Sequence, residues 1–261
     1  MRRVGSKQTT GPIGIDVGSR CIKIVQLLHA PDGPAQVIAQ IRRVPPHLQN
    51  GDPGRWEGLA TIVDQMLATG CFEGRHVASC MPNGLLEYRN IRVTPMPPGE
   101  LASAVHWQFG NHLKLQSDEF KSQFIDAGQV WEGDASRREI VAMAARLDDL
   151  NEHLNLLKKC GLTAVAIDAV PGALGRIIPS GDVQQPSRFV LDVGYGSTTL
   201  VITHENELRL VRRFDMGIAK IDELAARKLQ VNAEEAEQMR EGLHGGAASA
   251  DEGAVWPLGS T

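Results

Sequence analysis

At 261 residues, 42% of them hydrophobic, with a formal charge of -4, the chain can fill one large or two modest cores and is not a disordered polymer. Its Lys and Arg residues are scattered without a basic stripe, which puts nucleic acid last among partners. Cys21, Cys71, Cys80 and Cys160 form no Cys-x-x-Cys pair and read as reduced thiols of a cytoplasmic protein. No segment approaches the roughly 18 apolar residues of a membrane span, and the opening MRRVGSKQTT is not followed by a signal-peptide core, so neither insertion nor export is expected.

Residues 1–11 are polar and are expected to be disordered. Ile13, Ile15 and Val17 alternate as a strand that Gly18 ends, where a side chain would block a ligand oxygen. Strands over 22–28 and 36–44 complete a meander, and a Pro- and Gly-rich loop over 45–54 leads into a helix over 56–67 on Leu59, Ile62, Val63 and Met66, closed by Gly70. A short buried strand over 77–81 meets the turn Pro82-Asn83-Gly84, and a strand over 85–93 leads out of the domain towards the stiff connector TPMPPG.

A helix over 100–111 follows, carrying Leu101, Val105, Trp107 and Phe109. Trp107 and Phe109 read as core, with a peptide groove as the alternative. Strands over 120–128 and 139–145 flank a polar loop over 131–138. A helix over 147–160 presents Leu147, Leu150, Leu154 and Leu157 and ends on Lys158, Lys159 and Gly161. These elements make a small αββα insert. A strand over 162–167 and a short helix over 170–178 return to the first domain. His106 and His112 lack metal-ligand spacing and are read as solvated or capping residues.

The stretch RFVLDVGYGSTTLVITHENELRLVRRFD then repeats the beginning. Leu191-Asp192-Val193-Gly194 matches Ile15-Asp16-Val17-Gly18, and Gly196-Ser197-Thr198-Thr199 crowds after the second glycine as Ser19 follows the first. Strands over 199–204 and 207–214 give a second meander, followed by helices over 221–229 and 233–240, the latter capped by Asn232 with Glu235 at the capping-box position. The acidic Glu234, Glu235 and Glu237 read as a solvated helix start. Beyond Gly242 there is no periodicity, and a frayed tail is expected. A strand that runs into Asp-x-Gly-Ser sets a carboxylate beside backbone N–H groups and a hydroxyl, which can hold Mg²⁺ through water while the amides face phosphate oxygens. One such turn is commonplace; two in matching strands point to a duplicated phosphate-facing domain. No Walker P-loop occurs, and Gly194-x-Gly196 lacks the third glycine of a dinucleotide fingerprint.

Several separated blocks in order, GIDVGSRCIKIVQL, NIRVTPMPPGELASAVHWQ, GLTAVAIDAVPGALGR, FVLDVGYGSTTLVI and RRFDMGIAKIDELAARKLQVNAEEAEQMR, resemble the actin-like ATPases and, within them, the PilM family of type IV pilus assembly. The resemblance runs over about residues 12–240 and implies an α/β, actin-like (ribonuclease H-like) pair of duplicated domains with an inserted 1C-type αββα subdomain. The expected division is a leader at 1–11, domain 1A at 12–84 plus 162–181, the insert at 85–161, a truncated second domain at 186–241 and a disordered tail at 242–261.

By the same resemblance Asp16, Gly18, Ser19 and Lys23 line phosphate loop 1, and Asp192, Gly194, Gly196, Ser197 and Thr198 line phosphate loop 2, with Asp16 and Asp192 reaching Mg²⁺ through water. The partner it implies is the N-terminal peptide of a PilN-like inner-membrane protein, with pilus motor ATPases beyond, which places the chain peripherally at the cytoplasmic face of the inner membrane. Three departures bear on activity. Asp168 is the sole nearby carboxylate that could orient water, a weak candidate, because Val170 directly precedes Pro171. The family's adenosine Gly-Gly after a strand has no counterpart, since Gly245-Gly246 comes too early. The second domain stops before its remaining sheet and helices. Weak or lost ATP and Mg²⁺ binding follows, and a sheet edge and an apolar face of the second domain are expected to be bare. The scaffold reading leads; an active actin-like ATPase or a small-molecule kinase of the same superfamily is the alternative.

Overall fold

Alternating apolar residues decide the two meanders, and helices with a three- and four-residue apolar spacing decide what covers the first. A computed structural model describes residues 9–29, 36–48, 52–177, 186–243 and 254–257. In chain order they form β1 (Thr9–Thr10), β2 (Ile13–Val17), β3 (Cys21–His29), β4 (Gln36–Arg43), α1 (Arg55–Leu67), β5 (His76–Met81), β6 (Leu86–Val93), α2 (Pro98–Leu113), β7 (Phe120–Glu132) and β8 (Ala135–Arg146). There follow α3 (Leu147–Lys159), β9 (Thr163–Ala169), α4 (Val170–Ile177), β10 (Ser187–Val193), β11 (Thr198–His204), β12 (Glu207–Phe214), α5 (Ile218–Leu229), α6 (Ala233–Leu243) and β13 (Ala254–Pro257). Two compact units result, one of Met1–Met81, Glu152–Asp168 and Gly246–Thr261, the other of Pro82–Asn151 and Ala169–Gly245.

The first unit holds a sheet in the order β13-β4-β3-β2-β5-β9, with β1 also on β3. β2, β3 and β4 are antiparallel neighbours, whereas β2 and β5 run parallel, with Asp16 opposite Cys80. Ile13, Ile15, Val17, Ile22 and Ile24 are buried on one face, against Leu59, Val63 and Met66 of α1 and Leu156 and Leu157 from the end of α3. The expected stripe on α3 is rotated by one residue. His153, Leu156, Leu157 and Cys160 point inward while Leu154 is exposed, because a 153/156/157/160 set keeps helical spacing and meets the sheet. The α3 end is built as expected: Gly161 is left-handed (φ 66) and its N–H reaches Lys158 O at 3.0 Å.

The described residues of the two segments expected to be disordered include short strands. Thr9 and Thr10 pair with His29 and Leu28 in the lane that β2 occupies farther along β3. Gln26, buried, donates to Gly11 O at 2.9 Å and accepts from Glu73 N–H at 2.8 Å. Residues 254–257 pair antiparallel with β4, Ala254 opposite Ala39 and Pro257 opposite Gln36. A short β-prone run thus covers what would otherwise be an unpaired edge, and proline is tolerated on such an outermost strand. Residues 1–8, Ile178, and 244–253 and 258–261 of the tail lie outside the described residues.

In the second unit, β6, β8 and β7 form a sheet with β8 central. The αββα run is present in order, and the strand before it joins the same sheet. α2 covers one face, with Leu101, Val105 and Phe109 against Phe120, Ile140, Ala142 and Ala144. The polar loop expected at 131–138 is instead strand: β7 and β8 run on to a two-residue turn, Glu132 opposite Ala135, with Gly133 at φ 61. Charged residues there pair across the hairpin, as Arg137 does with Glu132 at 3.4 Å, so polarity marks exposure and not a loop. Pro82-Asn83-Gly84 does not close a hairpin; Asn83–Leu85 is a single 3-10 turn between strands of different sheets.

The other face of the insert packs on the second meander, β10-β11-β12, through Ala127, Val141, Val201, Leu208 and Val211. After that meander, Asn232 and Glu235 cap α6 reciprocally, at 2.9 and 3.2 Å. Glu237, expected to be solvated, is buried.

Candidate functional site

The first glycine turn lies between β2 and β3, where Val17 pairs with Ile22. Gly18 N–H donates to Cys21 O at 3.0 Å, and a Cβ on Gly18 would stand 2.8 Å from that same oxygen, so only glycine fits the turn. Lys23 is the cross-strand neighbour of Asp16, and its Nζ lies 3.1 Å from Asp16 Oδ2. Asp16, Gly18, Ser19 and Lys23 are therefore brought together. An ion pair this exposed is worth at most about 1 kcal/mol.

The second turn repeats the first bond for bond. Val193 pairs with Thr198, Gly194 N–H donates to Ser197 O at 3.0 Å, and a Cβ on Gly194 would stand 2.9 Å from it. Its surroundings differ. Asp192 faces Thr199, which is fully buried, where the first copy has a lysine. From below, Ile218 and Ala219 N–H at the start of α5 donate to Gly194 O and Tyr195 O at 3.0 and 2.9 Å. The turn carbonyls thus use helix amides that would otherwise be unpaired. Thr198 Oγ1 donates to Met216 O at 2.7 Å and so braces the turn, while Ser197 is half-buried and Gly196 exposed at the tip.

Three residues that sequence reasoning missed support this turn. Asn83 Nδ2 donates to Thr199 Oγ1 at 2.7 Å and lies 3.4 Å from Ser197 Oγ, while Tyr88 Oη donates to Asn83 Oδ1 at 2.7 Å. Arg213 Nη1 donates to the carbonyls of Asn83 and Leu86 at 2.9 and 2.7 Å. A polar residue just after a buried strand is the sole local hint, because its partners on the turn lie more than a hundred residues away. Asp168 is half-buried at the end of β9, immediately before α4.

Each turn offers one carboxylate, and among the described residues no group of three or more His, Cys, Asp or Glu side chains could hold a metal. One carboxylate beside backbone amides, as in either turn taken by itself, is a donor set of the kind Mg²⁺ accepts, since that ion keeps several waters and takes one or two carboxylates plus phosphate oxygens.

A separate cavity of about 280 Å³ lies in the insert, between Arg89 and Ile91 of β6 and Trp107, Phe109, Asn111 and His112 of α2. Phe109 is core, whereas Trp107 is 69% exposed at the cavity. Arg89 Nη2 donates to His112 Nδ1 at 2.9 Å. His106 takes no part; it stacks on Phe120 at 4.2 Å and reaches Ser122 Oγ at 2.9 Å.

Two antiparallel meanders, each closing on a glycine turn of the same construction, and a parallel strand added to the first define a protein of the actin-like ATPase fold. The profile of the family described as type IV pilus assembly protein PilM matches residues 14–246. The chain belongs to that family. Among solved structures, a PilM-PilN type IV pilus biogenesis complex is similar with a TM-score of 0.71 and 24% identity, over 88% of this chain and 69% of that one. The ethanolamine utilization protein EutJ from Carboxydothermus hydrogenoformans gives 0.49 and 14%, over 91% and 63%. The cytoplasmic domain of EpsL, an inner membrane component of the Vibrio cholerae type II secretion system, gives 0.47 and 14%, over 84% and 75%. No curated protein matches the chain. No helix among the described residues is long and apolar enough to cross a membrane.

Proposed function

We propose that the chain is a scaffold of type IV pilus assembly whose insert holds an extended N-terminal peptide of a PilN-like inner-membrane protein, at the cytoplasmic face of that membrane. The observation that carries this reading is the cavity beside Trp107. A tryptophan left in water against an apolar hollow of about 280 Å³ is the kind of anchor that interfaces concentrate their affinity on. Pilus motor ATPases are the further partners this role calls for. On this reading the duplicated turns face phosphate, and ATP binding is weak or lost. Asp168 is the one candidate for orienting water.

Titration calorimetry with a synthetic PilN-type N-terminal peptide tests the reading. Binding by the folded protein, weakened at least about tenfold by Trp107→Ala, is the expected result; no heat with a properly folded protein would count decisively against it. The matched turns favour one second reading, an active ATPase or small-molecule kinase. A thermal shift of several degrees in millimolar Mg-ATP, lost in Asp16→Ala or Asp192→Ala, would move the assignment there.

A further inference from the structure

We infer that Asn83, oriented by Tyr88, is a positioning residue that makes Ser197 the hydroxyl donor of the second turn. The inference rests on the reading of that turn as phosphate-facing and deepens it. Tyr88 Oη donates to Asn83 Oδ1 at 2.7 Å, which leaves the Asn83 amide nitrogen to face Thr199 and Ser197. An amide nitrogen only donates. Ser197 Oγ therefore meets Asn83 as an acceptor, and its own O–H is left to point away, into the turn. Thr198, by contrast, has committed its hydrogen to Met216 O at 2.7 Å. Of the two hydroxyls beside Gly196, Ser197 is the one poised for a phosphate oxygen.

The support is held from several sides. Arg213 fixes the carbonyls of Asn83 and Leu86, and Tyr88 packs against the cluster of Ala127, Val141 and Val201. The hydroxyl of Thr199, fully buried, would lack its 2.7 Å partner without Asn83. The opposite amide orientation would draw the Ser197 hydrogen towards Asn83 and present lone pairs to the turn, which repel a phosphate. The chemical class of ligand this arrangement fits is a phosphate chain, independent of the base attached to it.

The test is a calorimetric titration of the full chain with Mg-tripolyphosphate, which carries the phosphates without a nucleoside. Ser197→Ala and Asn83→Asp are expected to weaken binding about tenfold at pH 7.5, the scale of one hydrogen bond to a charged group. Tyr88→Phe, which keeps the ring, should weaken it about threefold. Wild-type affinity in Asn83→Asp overturns the inference alone. If that variant does not fold, unchanged affinity in Tyr88→Phe overturns it. No binding by the wild-type chain overturns it together with the phosphate reading of the turn.

Discussion

His153 gives the fold a built-in sensitivity to acid. It sits on α3, fully buried, with Nε2 3.0 Å from Ser79 Oγ and its ring edge-on to Trp56 at 6.1 Å. Ser79 gives its hydrogen to Ile15 O at 2.9 Å, so His153 Nε2 must carry the proton and Nδ1, which has no hydrogen-bond partner among the described residues, is the bare nitrogen. Burial, and secondarily the nearby Arg55 cation, push the imidazole down from 6.5 to about 4. The unfolded chain therefore binds a proton that the folded chain refuses. Stability is fully present above the unfolded value and is lost as pH falls from 6.5 towards 4. Between pH 7 and pH 5 the loss from this residue alone is about 2 kcal/mol. Urea unfolding followed by circular dichroism at pH 7, 6 and 5 measures it, with His153→Gln as reference, since the amide can still donate to Ser79 but does not titrate. The wild-type curve should fall more steeply than the variant's by about that amount. Parallel curves would refute the reasoning.

Gly217→Ala would set a Cβ 2.4 Å from Tyr195 O and 2.5 Å from Gly194 O, rigid backbone atoms, and should cost about 2–4 kcal/mol through overpacking and two weakened turn bonds. Gly74→Ala, in open space at φ 79, should cost only about 1 kcal/mol for its backbone conformation; equal urea midpoints for the two would contradict the steric account. Asp222, buried on α5, accepts from Arg240 of α6 at 2.7 and 3.1 Å. Asp222→Ala should cost about 2–4 kcal/mol, with part recovered in the double variant with Arg240→Leu; additive losses in a double-mutant cycle would show that the pair does not hold the two helices together.

The duplication was legible because it is written in local terms: strand alternation, Asp-x-Gly, and a hydroxyl within the next few residues all lie inside ten positions. The matching Gly18 and Gly194 bonds are what such a pattern builds. The αββα run was legible for the same reason. The β7–β8 hairpin was not, because its outer half is polar on both strands and only pairing across the ladder makes it a sheet. Nor could Asn83, Tyr88 and Arg213 be read, since their roles arise from contacts that the fold makes over long sequence distances. The α3 stripe was misplaced by one residue because leucine count, without a partner surface, does not say which flank of a helix is covered.

The two copies carry the same strand and spend it differently, which can be measured. Ile13, Ile15 and Val17 are 1, 3 and 0% exposed, whereas Phe189, Leu191 and Val193 at the matching positions are 74, 53 and 44% exposed. β2 takes β5 along its far edge and lies under α1 and α3, while β10 among the described residues pairs only with β11. The transfer of an isoleucine out of water and the cavity left by its removal make Ile15→Ala cost about 3 kcal/mol. Leu191→Ala removes a side chain that stands half in solvent and should cost no more than about 0.5 kcal/mol. Urea unfolding of both variants in dilute solution compares them directly. A cost above about 2 kcal/mol for Leu191→Ala would mean that this face is covered in solution, and a cost that grows with protein concentration would assign the cover to a second copy. Equal, small costs at both positions would instead undo the claim that the first copy's buried face holds its unit together.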